Sequence, residues 1–116
     1  MSDPLIQLRD ALRVFAAERD WDQFHSPRNL ATALAVEAAE LLEPFQWLND
    51  EQSASPSPET RAAIEQEMAD VLLYLVRLAD KLDVDLAAAA RAKIVKNGEK
   101  YPVEKARGSS RKYTEI

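Results

Sequence analysis

The stretch IEQEMADVLLYLVRLADKL, residues 64–82, decides the fold class of this chain. Read as a helix, it is apolar nearly all round from Val71 to Leu78. A helix that meets water along one side carries a polar stripe there, so this segment needs packing partners around most of its circumference. A single chain of four helices can hardly bury it completely. We therefore predict that helices also pack between subunits.

The composition favours helices over sheets. Only two of the 116 residues are glycine, hydrophobic residues make up 47% of the chain, and alanine and leucine are frequent. The length suffices for one domain with a core and is too short for two. We predict an all-α bundle with a single domain over residues 1–100, followed by a C-terminal tail over residues 101–116.

Three predicted helix starts share one sequence pattern, a capping side chain followed by proline at the first helical position. They are Asp3-Pro4, Ser26-Pro27 and Ser57-Pro58, and a fourth start is expected at Asp83 or Asp85. The predicted helices cover about residues 4–20, 27–48, 58–82 and 85–97, with one long loop at 49–58. Pro44 predicts a kink or a break within the second helix. Gly98 either caps the fourth helix or is tolerated within it.

Charge and cysteine content exclude several classes of protein. The net charge is −5, and the tail holds four basic side chains against two acidic ones, so residues 1–100 carry −7. An acidic body argues against a nucleic-acid polymer as partner. The chain has no cysteine, no signal-peptide pattern and no apolar run near the ~18 residues of a membrane span. We predict a cytoplasmic protein without a membrane partner.

Two acid pairs lie on helices whose other residues favour burial. In VEAAELLEPFQW, residues 36–47, Glu37 projects within roughly 60° of three leucines on a helical wheel, and Glu40 lies at the edge of that stripe. On the helix of residues 58–82, Glu67 and Asp70 are three apart and share one face. An isolated buried carboxylate costs several kcal/mol, so these positions call for compensation.

A divalent cation would supply that compensation. Antiparallel packing of the two helices would gather four carboxylates, which repel one another and raise one another's pKa. The ligand set is all oxygen, which suits Mg²⁺ and also Mn²⁺. No histidine accompanies the acids, so a di-iron bundle is disfavoured. Carboxylate-held Mg²⁺ keeps positions open for phosphates, which points to phosphate-ester or phosphoanhydride chemistry. The alternative is a pair of solvated acidic faces.

Aromatic and basic residues accompany the acids at helical spacings. The aromatic residues Trp21, Trp47 and Tyr74 either belong to the core or form a slot that stacks a nucleobase beside the metal. The basic residues that could meet phosphates are Arg28, Lys93, Lys96 and Lys100. The three lysines run down one side of the fourth helix, and a solvated lysine face explains them equally simply. His25, in a loop before a cap, is interpreted as polar surface or interface.

Taken together, these residues resemble a known family. Glu37-x-x-Glu40 followed by Glu67-x-x-Asp70 is similar to the acid motif of MazG-type all-α nucleoside triphosphate pyrophosphohydrolases. The segments FAAERDWDQFHSPRNL, ELLEPFQW, DVLLYLVRLAD and RGSSRKYTE resemble more closely the dCTP pyrophosphatase branch. The resemblance covers about residues 5–116. It implies a four-helix MazG-like bundle that splits a nucleoside triphosphate into a monophosphate and pyrophosphate.

The resemblance also implies roles for individual residues. Mg²⁺ would be held by Glu37, Glu40, Glu67 and Asp70. Trp21 and Trp47 would sandwich the base, while Tyr74 and Asn97 would help to hold the nucleotide. Members of the family form homodimers and this branch tetramers, and the tail would fold over the site or a partner subunit. A glutamate of the first pair, Glu37 or Glu40, would accept the proton of the attacking water.

A second class of function stays open from the sequence. The chain would then be a helical scaffold or regulatory module, with a structural metal site or none. Base preference, the use of modified cytosine nucleotides, and a role in pool sanitation or pool control are also left open. Pyrophosphate release from a nucleotide panel with and without Mg²⁺ separates the enzyme from the scaffold.

Overall fold

A computed structural model describes residues 3–116, and helices are the only regular secondary structure in that range. The α-helices are α1 (Pro4–Glu18), α2 (Pro27–Leu42), α3 (Asp50–Ala54), α4 (Pro58–Lys81), α5 (Leu86–Lys100) and α6 (Val103–Ala106). Short 3₁₀ turns cover Asp22–Phe24, Glu43–Phe45 and Tyr113–Glu115. The predicted all-α fold class is confirmed.

The predicted capping residues begin the helices. The side chain of Asp3 accepts a hydrogen bond from the Leu5 N–H, and Ser26 and Ser57 cap α2 and α4 in the same way. Asp85, rather than Asp83, caps α5. Each of these side-chain oxygens satisfies an N–H that the first helical turn leaves without a backbone acceptor.

Two helix boundaries differ from the prediction, and one predicted loop is partly helical. α2 ends at Leu42 because Pro44 cannot donate to a backbone bond, and a 3₁₀ turn follows it. α5 continues through Gly98 to Lys100, so that glycine is tolerated within the helix. Within the predicted loop, α3 forms behind a reciprocal pair of bonds between Asn49 and Gln52.

The described chain divides into two compact units. The first ends at Val84, and the second runs from Asp85 to Ile116. In the first unit α4 is the central element, against which α2 packs most extensively and α1 less so. The buried apolar side chains are few: Ala16, Leu30, Ile64, Val76 and Ala79. The prediction of one catalytic domain over residues 1–100 with a separate tail stays a prediction.

The second unit is built from α5, α6 and the C-terminal turn. Along α5 no residue is buried, and Ile94 is 70% exposed. The rings of Tyr101 and Tyr113 meet edge-on with centroids 6.0 Å apart, and the ammonium of Lys100 lies 4.9 Å from the centroid of Tyr113. These contacts join the end of α5 to the C-terminal turn. Among the described residues, no helix is both long enough and apolar enough to cross a membrane.

Candidate active site

Three acidic side chains converge where α2 packs against α4. Glu37 of α2 and Glu67 and Asp70 of α4 each offer a carboxylate oxygen, and these oxygens lie within 4.8 Å of one another. Helical spacing explains the meeting on α4, where residues three apart share a face. The two helices run antiparallel, because Glu37 meets Asp70 whereas Pro44, beyond the end of α2, lies beside Glu59 near the start of α4.

Two oxygens of this group are buried without a partner. Oε2 of Glu37 and Oε2 of Glu67 accept no hydrogen bond, although a buried acceptor normally finds a donor. Burial, then a hydrogen bond with Glu40 and the neighbouring negative charges, raise the pKa of Glu37 to about 7. Burial and the charges of Glu40 and Asp70 also raise the pKa of Glu67. The carboxylates therefore lack a positive counterpart within the described chain.

Glu37→Gln is expected to stabilise the cation-free protein at pH 8, and progressively less as the pH falls to 4.5. The pKa of Glu37 is about 7 in the folded state against 4.5 as the ordinary value. Ionisation therefore costs folded-state stability as the pH rises between these values. Glutamine cannot ionise and escapes that cost.

Thermal unfolding in excess EDTA at the two pH values measures the effect. Glu65→Gln is the matched control, because it makes the same change at an exposed acid of α4, outside the group of three carboxylates. A shift of equal size at both pH values would contradict the assignment of a raised pKa to Glu37.

Glu40 lies next to the group of three without belonging to it. It lines an open groove at the end of α2, and further acidic side chains line the same groove. The lining residues are Glu40, Glu43, Pro44, Glu59, Thr60, Ala63 and Glu67. Glu40 is thus adjacent to Glu37 along its helix and to Glu67 across the groove. All four predicted acids lie in one neighbourhood, and three of them form the tight group.

A cavity of about 210 Å³ adjoins the acid group. Its walls come from α1, the turn after α1 and α4, and they are mostly apolar and aromatic. They consist of Leu12, Phe15, Ala16, Trp21, His25, Asp70, Leu73, Tyr74 and Arg77. Asp70 belongs to both the cavity and the carboxylate group. An apolar slot that ends at a cluster of charges suits a molecule with a flat ring and an anionic tail.

Trp21 is positioned by the way α1 ends. The N–H of Asp20 donates to the carbonyl of Ala17 at 3.2 Å, and the N–H of Trp21 donates to that of Ala16 at 2.9 Å. With Asp20 at a φ of +53°, this is a Schellman arrangement, which turns the chain sharply. The Trp21 ring then meets Phe15 edge-on at 5.7 Å. It stays 43% exposed, so part of the ring is open to a ligand.

The other four predicted site residues are all exposed. Trp47 follows the 3₁₀ turn after α2, is 86% exposed and does not line the cavity. Arg28 is exposed in the first turn of α2, while Lys93 and Asn97 are exposed on α5 in the second unit. The structure therefore brings Trp21 and Tyr74 together with the acids and leaves the roles of the other four as predictions.

An ion-pair network on the cavity wall was missed by sequence reasoning. Arg77 is only 5% exposed, and it donates to His25 Nδ1 at 3.1 Å and to Asp22 Oδ1 at 2.5 Å. Asp22 also accepts a hydrogen bond from Lys81. The partners are more than 50 residues apart in sequence, so no local periodicity joins them. The one available signal was an arginine within an otherwise apolar stretch.

Comparison with known proteins settles the family. Residues 32–116, which include both acid pairs, match the family described as MazG-like. The chain belongs to the MazG-like family. It is 53% identical to human dCTP pyrophosphatase 1 over 104 residues, which are 88% of this chain and 61% of the human protein. It is 48% identical to bovine dCTP pyrophosphatase 1 over 118 residues, covering 99% of this chain and 70% of the bovine protein.

A solved structure shares the fold of this MazG-like chain. A pyrophosphatase from Archaeoglobus fulgidus DSM 4304 superposes with a TM-score of 0.81 at 37% sequence identity. The match covers 88% of this chain and 95% of the archaeal one. The MazG-like chain thus spans nearly the whole archaeal protein, but only 61% of its human relative and 70% of its bovine relative. The predicted family resemblance is confirmed.

Proposed function

We propose that this chain hydrolyses dCTP, or a modified dCTP, to the monophosphate and pyrophosphate. The observation that carries the proposal is Asp70, which belongs both to the group of three carboxylates and to the wall of the aromatic cavity. One residue thus links a place for phosphates to a place for a base. Relatives named dCTP pyrophosphatase 1, about half identical in sequence, support the cytosine substrate. Removing a modified dCTP would sanitise the nucleotide pool, and we propose that the chain does so in the cytoplasm.

Glu37, Glu67 and Asp70 would hold a divalent cation, with Glu40 beside them. The fit rests on two buried oxygens that lack a partner and on an all-oxygen ligand set, which suits Mg²⁺ and also Mn²⁺. When bound, the cation would offset the negative charge that builds on the pyrophosphate leaving group. Without it, the three carboxylates would repel the substrate's own phosphates.

Glu40 is our proposed proton acceptor. It lies outside the group of three, so its carboxylate stays available, yet it is close enough to affect the pKa of Glu37. A water between Glu40 and the α-phosphorus would lose its proton to Glu40 as it attacks. Glu37, the other glutamate of the pair, would hold the cation. The proposal thus assigns the proton acceptor and the cation ligand within the Glu37–Glu40 pair, which the sequence alone did not distinguish.

The cavity would bind the base. Trp21 and Tyr74 supply ring surface within it, and stacking on such rings tolerates any base, so hydrogen bonds must complete the choice of cytosine. Trp47 would close the stack from the other side, as the family resemblance implies. Arg28 and Lys93 would meet the phosphates, and Asn97 would help to hold the nucleotide. These last assignments rest on residue chemistry and on the family pattern.

A homo-oligomer, dimer or tetramer, is proposed as the active form. α4 keeps apolar surface open, with Leu72 38% exposed, and few side chains are fully buried in the first unit. A small protein seldom exposes so much apolar surface without covering it. Light scattering is expected to give a mass of at least twice 13.0 kDa at micromolar concentration. A stable monomer at that concentration would contradict the proposal.

A kinetic panel tests the proposed reaction. The nucleotides are dCTP, 5-methyl-dCTP, dTTP, dUTP, dATP and CTP, each assayed for pyrophosphate release with Mg²⁺, with Mn²⁺ and with EDTA. We expect the highest kcat/KM for a deoxycytidine triphosphate and no turnover in EDTA. Absence of pyrophosphate release from every nucleotide with either cation would favour the scaffold alternative.

A further inference from the structure

Arg77 is a buried cation on α4. A guanidinium at 5% exposure is tolerated only when its donors are occupied. It donates to Asp22 and His25, and a third nitrogen lies 3.6 Å from Asp80. Asp80 is in turn held by Arg13 at 2.8 and 2.5 Å. Arg77 is therefore fixed in one orientation from several sides.

The Arg77–His25 hydrogen bond determines where the histidine carries its proton. An arginine side chain stays protonated and has donors but no acceptor. Its Nε–H therefore requires a lone pair on His25 Nδ1, which only the neutral imidazole with its proton on Nε2 provides. Burial first, then the charges of Arg77 and Lys81, lower the pKa of His25, while Asp22 acts in the opposite direction. Both effects favour the same neutral form.

His25 carries this fixed proton at the wall of the cavity. Its ring lies 6.4 Å from the ring of Trp21, edge-on, and both line the same space. With Nδ1 engaged by Arg77, Nε2–H is the ring group that can donate to a molecule in the cavity. Stacking alone does not select a base. A donor of fixed position beside the stacking surface would add that selectivity.

We propose that Arg77 is a positioning residue that fixes His25 as a neutral Nε2–H donor to an acceptor atom of the substrate's base. The acceptor would be a carbonyl oxygen or an unprotonated ring nitrogen of a pyrimidine. The identity of the base rests on the proposed function, whereas the state of the histidine does not. Arg77 acts through His25 and through Asp22, which holds the guanidinium in place.

Nuclear magnetic resonance of the cation-free protein tests the state of the histidine directly. His25 is the only histidine of the chain, so its ring nitrogens are observed without overlap. We expect the wild type at pH 7 to carry the proton on Nε2 and to titrate below the ordinary pKa of about 6.5. This measurement needs no variant. A proton on Nδ1, or a cationic ring at pH 7, would overturn the proposal.

Arg77→Met extends this test, with Arg13→Met as the matched control. Arg77→Met should raise the pKa of His25 and allow both neutral tautomers. Arg13→Met removes a guanidinium that bonds Asp80 and not His25, so His25 should be unchanged. A His25 spectrum that is the same in Arg77→Met and wild type would overturn the proposal.

A double-mutant cycle separates a positioning role from a merely structural one. One neutral hydrogen bond is worth about 0.5–1.5 kcal/mol, so Arg77→Met should raise KM for dCTP by roughly 2- to 12-fold with little change in kcat. In the His25→Ala background it should add nothing, because the residue through which it acts is gone. An equal rise in both backgrounds would overturn the proposal. If dCTP is not hydrolysed, the proposed function fails. The protonated nitrogen of His25, measured by magnetic resonance, then still tests whether Arg77 fixes the histidine.

Discussion

Replacing Glu37 by glutamine or Asp70 by asparagine is expected to abolish most dCTP hydrolysis while leaving the helical circular-dichroism signal intact. Both residues belong to the group of three carboxylates. Losing one cation ligand forfeits several kcal/mol of charge stabilisation in the transition state, or roughly 10²–10³-fold in kcat/KM. The fold should survive, because each change removes a charge from a crowded group. Steady-state pyrophosphate release measures the loss.

Two further variants sharpen this prediction. Glu65→Gln, an isosteric change of an exposed acid on α4, should keep wild-type activity. Glu40→Gln should lose activity yet keep the rise in melting temperature that Mg²⁺ produces, since Glu40 lies outside the group of three. A ligand at 100 times its Kd stabilises the protein by about 2.7 kcal/mol, so this rise is readily measured. Near-wild-type turnover in both Glu37→Gln and Asp70→Asn would rule out the metal site.

Trp21→Ala is expected to raise KM for dCTP by roughly 5- to 150-fold, since stacking contributes about 1–3 kcal/mol per base. The effect should fall on KM rather than kcat, because the base is held alike in the ground state and in the transition state. Phe24→Ala is the matched control. Phe24 is an exposed aromatic residue three positions away that does not line the cavity.

Fluorescence gives a second readout for the same slot. The chain has two tryptophans, so Trp47→Phe leaves Trp21 as the only indole. We expect its emission to be quenched by dCTP in the presence of Ca²⁺, chosen to support binding without turnover. Trp47→Ala tests whether the exposed Trp47 forms the other side of the stack, in which case KM should rise by a comparable factor. An unchanged KM in both alanine variants would place the base elsewhere.

Local patterns predicted the fold and the acid group because their causes are local. A capping oxygen followed by proline begins a helix wherever it occurs, and Ser26 and Ser57 do so here. Glu37 and Glu67 were found because a carboxylate within an apolar stripe is costly. Pro44 predicted a kink or a break in the second helix, and in the structure α2 ends two residues earlier, at Leu42.

The ion-pair network around Arg77, which the sequence did not predict, depends on residues far apart in the chain. His25 was interpreted as polar surface or interface, yet it accepts a bond from Arg77, 52 residues away. The sequence spacing of His25 and Arg77 gives no indication that the two side chains are in contact. α3 was also missed, since its five residues are fixed by a reciprocal Asn49–Gln52 pair rather than by apolar periodicity. The division of the acid group, with Glu40 beside it, follows from how α2 packs on α4.

In the proposed reaction, water attacks the α-phosphorus of dCTP at the carboxylate group. Phosphorus-31 resonance of the products formed in ¹⁸O-labelled water with Mg²⁺ tests it most directly. We predict dCMP carrying one ¹⁸O atom, together with unlabelled pyrophosphate, and no reaction when EDTA replaces Mg²⁺. Formation of dCDP and inorganic phosphate, label in the pyrophosphate, or undiminished hydrolysis in EDTA would contradict this mechanism.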